Sequence, residues 1–280
     1  MTDASWQRAA TAADYVAFCA RFGRYTDSSR WLVAALHRHI TAEVTARGLR
    51  GLDWAAGTGA TTQAWAERVS TGEHANKAEI TAWEPSPAMA QRHPATGALR
   101  GAGVRWRLRP ALSPPGGRGF DAVVGNSMWW LLHDPVTSLI GLSPWLAPDA
   151  VLAWSTPVMY CGVPPGDAEI RLSVALNDAR VAAKLPLDAS PSHGGWAGPL
   201  DPAAALTTAG WRVLEETEHT RACSPEEWLA HTMLPPVRPP WLRSLPPGAL
   251  ASFVRHAAAA LVGLSDYPQT WRITVARRAA

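Results

Sequence analysis

The chain has 280 residues, enough for one large α/β domain with an insertion or for two modest domains. Hydrophobic residues make up 47% of it, which supports a sizeable core and excludes wholesale disorder. A net charge of +3 and a pI near 9.0 are mildly basic, without the concentrated charge of a nucleic-acid binder.

Residues 12–22 read as a helix with Tyr15, Val16, Phe18, Cys19 and Phe22 on one side. A polar break follows at residues 23–29. A second helix over residues 30–47 sets Leu32, Leu36, Ile40 and Val44 on one face, and Gly48 ends it. The first strand, residues 50–55, runs into Gly57-Thr58-Gly59, and a helix follows over residues 61–69. So tight a turn calls for residues that tolerate unusual backbone angles, and glycine also lets a ligand approach the backbone. The helix behind it directs free N–H groups and its positive dipole end at whatever sits there.

Three nucleotide-type ligands suit such a turn. A dinucleotide site wants Gly-x-Gly-x-x-Gly, and the third position here is Thr62. A Walker loop wants Gly-Lys-Ser/Thr, and no lysine is near. A carboxylate-bearing nucleoside is the third, with Asp53 beside the glycines to meet its amino group. Asp53, Ala55, Gly57 and Gly59 resemble motif I of the class I S-adenosylmethionine-dependent methyltransferases, hydrophobic-Asp-x-Gly/Ala-x-Gly-x-Gly. The resemblance implies that these residues and Thr58 bind S-adenosylmethionine. It also makes the two leading helices an N-terminal cap, with Tyr25 near the site; without it, Tyr25 reads as a surface-loop aromatic.

Residues 79–84 form the second strand, ending in the acid Glu84 before Pro85-Ser86-Pro87. An acid there is positioned to accept hydrogen bonds from both ribose hydroxyls, and the resemblance places Pro85 and Ser86 beside the cofactor. Residues 103–108 form the third strand, where Val104, Trp106 and Leu108 alternate with Arg105, Arg107 and Arg109. The arginine row reads as a solvated face or as a phosphate track. The family usually has an acid followed by Ala next, for the adenine amino group. This chain has Arg109-Pro110-Ala111-Leu112, which leaves backbone and apolar contacts from Ala111 and Leu112.

Residues 120–127 form the fourth strand, resembling the family's Phe-Asp-hydrophobic-Val pattern. It ends at Asn126 and Ser127, facing the cofactor, with Asp121 holding structure at its start. Met128, Trp129 and Trp130 follow as substrate-pocket candidates; the tryptophans wall a methyl or substrate pocket or pack the core. His133 is the leading general-base candidate for a hydroxyl acceptor. A helix over 135–146 and a fifth strand over 150–155 come next. Residues 156–199 are long for a connection and contain a helical stretch, 169–185, and a Gly/Pro/Ser-rich stretch with His193 and Trp196. They read as a substrate lid, with His193 the second base candidate. A helix over 200–209, a strand over 211–220, a helix from Ser224, an irregular Pro-rich stretch over 235–247, a helix over 249–264 and a strand over 270–275 complete the chain.

The alternating order predicts a single α/β domain with a doubly wound, mostly parallel seven-stranded Rossmann-like sheet. Its parts are a helical cap (12–48), a cofactor core (50–155), the lid (156–199) and the rest of the sheet (200–280). Three scattered cysteines offer no metal spacing and suit a reducing compartment. The opening residues lack an apolar run, and no stretch is long enough to span a bilayer, so the expected location is the cytoplasm. The resemblance implies methyl transfer to an O, N or C nucleophile of a small acceptor. The 15 tryptophans and the lid favour an apolar or aromatic one, such as a secondary metabolite. Nucleic-acid and membrane partners are not favoured. A non-methylating cyclase or binding protein of this fold is the second reading, and RNA methylation the third.

Overall fold

The computed structural model describes residues 4–70, 77–93, 105–109, 119–129, 132, 134–185 and 199–279. The strands are β1 (Arg50–Trp54), β2 (Glu79–Trp83), β3 (Arg105–Arg109), β4 (Phe120–Asn126), β5 (Leu146–Pro157), β6 (Trp211–Cys223) and β7 (Tyr267–Arg278). They form one seven-stranded sheet in the order β3-β2-β1-β4-β5-β7-β6. β1 to β5 pair in parallel, and β7 runs antiparallel to both β5 and β6. The sheet is therefore mixed.

Period-two alternation explains the double winding. Ala122, Val124, Val151, Ala153, Ile273 and Val275 share one cluster with Leu32 and Leu36 of α2 (Arg24–His37) and Trp65 of α4 (Ala60–Val69). The residues between them, Val123, Leu152 and Trp154, join Leu52 and Trp54 on the opposite face. There they pack with Leu139 and Leu142 of α6 (Pro135–Leu142) and Leu206 of α8 (Pro202–Thr208). Every central strand is thus covered on both faces.

The N-terminal helices depart from expectation. α1 spans Ala9–Arg21, and α2 begins directly after it at Arg24, inside the stretch read as a polar break. The break comes later, before Thr41, which caps α3 (Ala42–Arg47). The polar run misleads because Ser28 and Ser29 are buried, facing the carboxyl end of β4 rather than water.

Beyond β5, the helix expected in the lid is present as α7 (Asp167–Ala182). It packs with α9 (Pro225–Thr232), α10 (Pro240–Arg243) and α11 (Pro247–Ala260) around Leu172, Ala179, Leu229, Leu242 and Phe253. α10 lies in the stretch expected to be irregular. The unit stands at the carboxyl end of the parallel strands, because Trp271 of β7 pairs with Pro157 and Tyr267 with Cys223. The segment between β6 and β7 builds most of it, a contribution not foreseen.

Candidate cofactor and substrate site

In an open α/β sheet, ligands bind outside the carboxyl ends of the strands where the order reverses. Here the reversal lies between β1 and β4. After β1 the backbone turns through positive φ at Ala55 (+58°), Gly57 (+58°) and Gly59 (+95°), with Gly59 capping α4. A Cβ on Gly57 would meet only Met89 Cε at 3.8 Å, so this glycine answers to backbone angle, not to crowding. Ser127, just past β4, is also left-handed at +54°. Two strained non-glycine residues flanking one crevice mark it as a site.

Glu84 follows β2 and bridges two turns. Its Oε2 accepts the Gly57 N–H at 2.7 Å, and its Oε1 accepts the Ser86 N–H at 2.7 Å. Ser86 caps α5 (Pro87–Ala90) through Met89 N at 3.2 Å and donates its hydroxyl to Trp6 O at 2.7 Å. Thr58 and Pro85 are half-buried beside these groups. Asp53 was expected to meet a ligand amino group. Its carboxyl is buried and takes hydrogen bonds from the hydroxyl and backbone of Thr62, in the first turn of α4. His93 Nε2 lies 2.9 Å from the same hydroxyl, so Asp53, Thr62 and His93 clamp the turn. The sequence reading met Thr62 only as the residue that breaks the dinucleotide pattern, and His93, which belongs to no local pattern, escaped it.

Asn126 Nδ2 reaches Ser28 Oγ at 3.1 Å, Ser29 Oγ at 2.9 Å and Thr61 Oγ1 at 3.2 Å. Its Oδ1 accepts from Ser127 Oγ at 3.2 Å and from the Ser155 hydroxyl. Hydroxyls from α2, α4, β4 and β5 thus converge at the strand ends. Tyr25 is buried one turn before Ser28, its hydroxyl 3.1 Å from His231 Nε2 of α9.

Two expected pocket residues are core. Met128 and Trp129 are buried in the cluster beneath α6 and α8, with Trp129 stacked on Trp154 and edge-on to Trp54. Their apolar bulk fills the sheet face, as in the packing alternative. Trp130, His133, His193, Trp196, Ala111 and Leu112 lie outside the described residues. So do the side chains of the β3 arginines.

No protein-family model matches the chain, and no curated protein matches it in sequence. Solved structures do. A candidate methyltransferase from Bacillus halodurans C-125 is similar at 15% identity and a TM-score of 0.51, covering 89% of this chain and 99% of that one. The YcgJ protein of Bacillus subtilis is similar at 13% identity and a TM-score of 0.51, covering 91% and 99%. The fold is the α/β Rossmann-like methyltransferase fold.

A methyltransferase fold raises the question of whether this crevice suits the cofactor. Burial raises the carboxyl of Asp53 to about 7, reinforced by the nearby charge of Glu84 and opposed by the Thr62 bonds. Burial likewise raises Glu84 to about 7, against the two N–H bonds it accepts. Among the described residues both acids are bonded only by neutral groups. Two buried acids without a cation suit a ligand that carries a sulfonium and an ammonium group. Among the described residues no His/Cys/Asp/Glu cluster is arranged for a metal, and no helix is long and apolar enough to cross a membrane.

Proposed function

We propose that this chain transfers a methyl group from S-adenosylmethionine to an O, N or C nucleophile of a small acceptor. The observation that carries the reading is the convergence of the positive-φ turn at Ala55, Gly57 and Gly59, the strand-end Glu84 and the Asn126 cluster on one crevice. Bound there, the cofactor supplies an electrophilic methyl group on a neutral leaving group. The chain supplies position. Glu84 takes the ribose hydroxyls, and the backbone of Gly57, Thr58 and Gly59 lines the path of the methionyl part. Pro85 and Ser86 border the ribose, and Ala111 and Leu112 offer apolar contact to adenine. Asp53 keeps α4 seated, so that its N-terminus faces the anionic end of the ligand.

Asn126 and Ser127 stand where the reacting centre lies, under helices that exclude water. His133 or His193 serves as base for a hydroxyl acceptor. The aromatic side chains of the capping helices support an acceptor with an apolar or aromatic body.

The test is calorimetric titration of S-adenosylhomocysteine into wild type and Glu84→Ala. Losing hydrogen bonds to a charged acceptor should weaken binding by about tenfold to a hundredfold. Equal binding by both proteins removes Glu84 from the site, and no binding to wild type removes the cofactor reading.

A further inference from the structure

Arg24, the first residue of α2, is 2% exposed. Its Nε and Nη1 have no hydrogen-bond partner among the described residues. Its guanidinium carbon lies 5.5 Å from the Trp271 ring centre and 5.9 Å from that of Tyr25. The groups acting most strongly on its charge are Tyr25, Tyr267, Cys223 and Tyr160, none of them a carboxylate. The acids nearby are engaged elsewhere. Asp27, on the next turn of α2, pairs with Arg221 at 3.2 Å, and Glu227 holds the same arginine. Burying a guanidinium without a counter-ion is strongly unfavourable. Two cation–π contacts offset only part of that penalty.

The location is specific. Ser28 and Ser29, one turn along α2, bond Asn126 at the crevice. Trp271 pairs with Pro157 at the carboxyl end of β5. Arg24 therefore stands at the crevice edge on the β5–β7 side, away from the glycine turn and Glu84 on β1 and β2. Burial raises the pKa of Tyr25 and Tyr267, so both phenols stay neutral; each is hydrogen-bonded to the guanidinium without neutralising it.

We infer that Arg24 anchors the carboxylate of the acceptor, beside Tyr25, Tyr267 and Trp271 at the contact with α9. This rests on the methyl-transfer reading and narrows its substrate class to small organic acids with an apolar body. The fork of the guanidinium, its Nε and Nη1 without a partner among the described residues, matches a carboxylate.

The experiment titrates benzoate, phenylacetate and their neutral amides into wild type, Arg24→Gln and Arg24→Lys, with and without saturating S-adenosylhomocysteine. Wild type should bind an acid and not its amide. Arg24→Gln should weaken the acid by about thirtyfold or more and leave S-adenosylhomocysteine binding unchanged. Arg24→Lys keeps the charge without the fork and should fall between; it carries the test if Arg24→Gln does not fold. Acids and amides binding alike, acids binding equally to the variants, or no acid binding to a wild type that holds S-adenosylhomocysteine would each overturn the assignment. Loss of S-adenosylhomocysteine from the variants overturns it too, giving Arg24 to the cofactor's own carboxylate. Arg24-dependent acid binding by a wild type that ignores S-adenosylhomocysteine upholds the anchor and sinks the methyl-transfer reading.

Discussion

The hydroxyl of Tyr25 and Nε2 of His231 lie 3.1 Å apart across 206 residues of sequence, joining α2 to α9. Burial, then the nearby Arg24 charge, holds His231 well below its ordinary pKa, so the ring is neutral and accepts the phenol proton. The pair is a buried polar tie in a contact that Phe18, Leu234 and Trp271 also make. Tyr25→Phe leaves the buried nitrogen unsatisfied and should cost about 1–3 kcal/mol. Hydrogen exchange locates the effect: protection should drop in α9 more than in β1 or β4. An even loss across the sheet would mean that the pair does not hold the cap.

Cofactor affinity should depend on pH. Asp53 and Glu84, both raised to about 7, are ionised only in part at neutral pH, and a cationic ligand favours their charged forms. Affinity for S-adenosylmethionine should therefore rise from about pH 6 to about pH 8, and Glu84→Gln should flatten the rise. The melting temperature is a blunter probe. A raised carboxyl makes the folded state bind the extra proton, so stability from these acids falls as pH climbs from the carboxylate range towards 7. Burial lowers His37 and His93 to about 4, and their contribution instead grows as pH rises from 4 towards the ordinary histidine value. The two trends oppose each other, whereas the titration of ligand affinity reads the acids alone.

The backbone of Ala55 carries a third prediction. At φ +58° a Cβ is tolerated at a cost, and a β-branched side chain is a true outlier. Ala55→Val should destabilise by about 1–3 kcal/mol and weaken S-adenosylhomocysteine binding, because the turn must shift to relieve it. Ala55→Gly, which fits the angle, should bind as wild type does. Loss of binding in the glycine variant would show that the methyl group, not the turn, matters.

What could be read beforehand follows from range. Gly57, Gly59 and Glu84 announce themselves because each lies directly after an apolar strand, and the alternating order of strands and helices gives the sheet. Ser28 and Ser29 mislead because polarity normally signals water, and here it signals Asn126, 98 and 97 residues on. His231 and Arg24 give no local sign, since their neighbours come from β7 and from opposite ends of the chain. Trp129 is ambiguous by nature: a buried aromatic has the same composition in a pocket wall and in a core, and only its stacking on Trp154 decides.

Gly51 and Trp65 test the packing of α4 on the sheet, and with it the seat of the cofactor turn. A Cβ on Gly51 would stand 2.5 Å from Trp65 Cη2 and 2.8 Å from Cζ2. Trp65 is fully buried and its Nε1 donates to His37 Nε2 at 3.1 Å, so it cannot simply swing away. Gly51→Ala should cost about 1–3 kcal/mol through overpacking. Trp65→Phe removes the clashing edge but also the bond to His37, and is destabilising alone. Because the two changes relieve one another, the double variant should be less destabilised than the sum of the singles by about 0.5–3 kcal/mol. Denaturant unfolding of all four proteins reads this directly, and simple additivity would show that the glycine at position 51 is not there to make room for the indole.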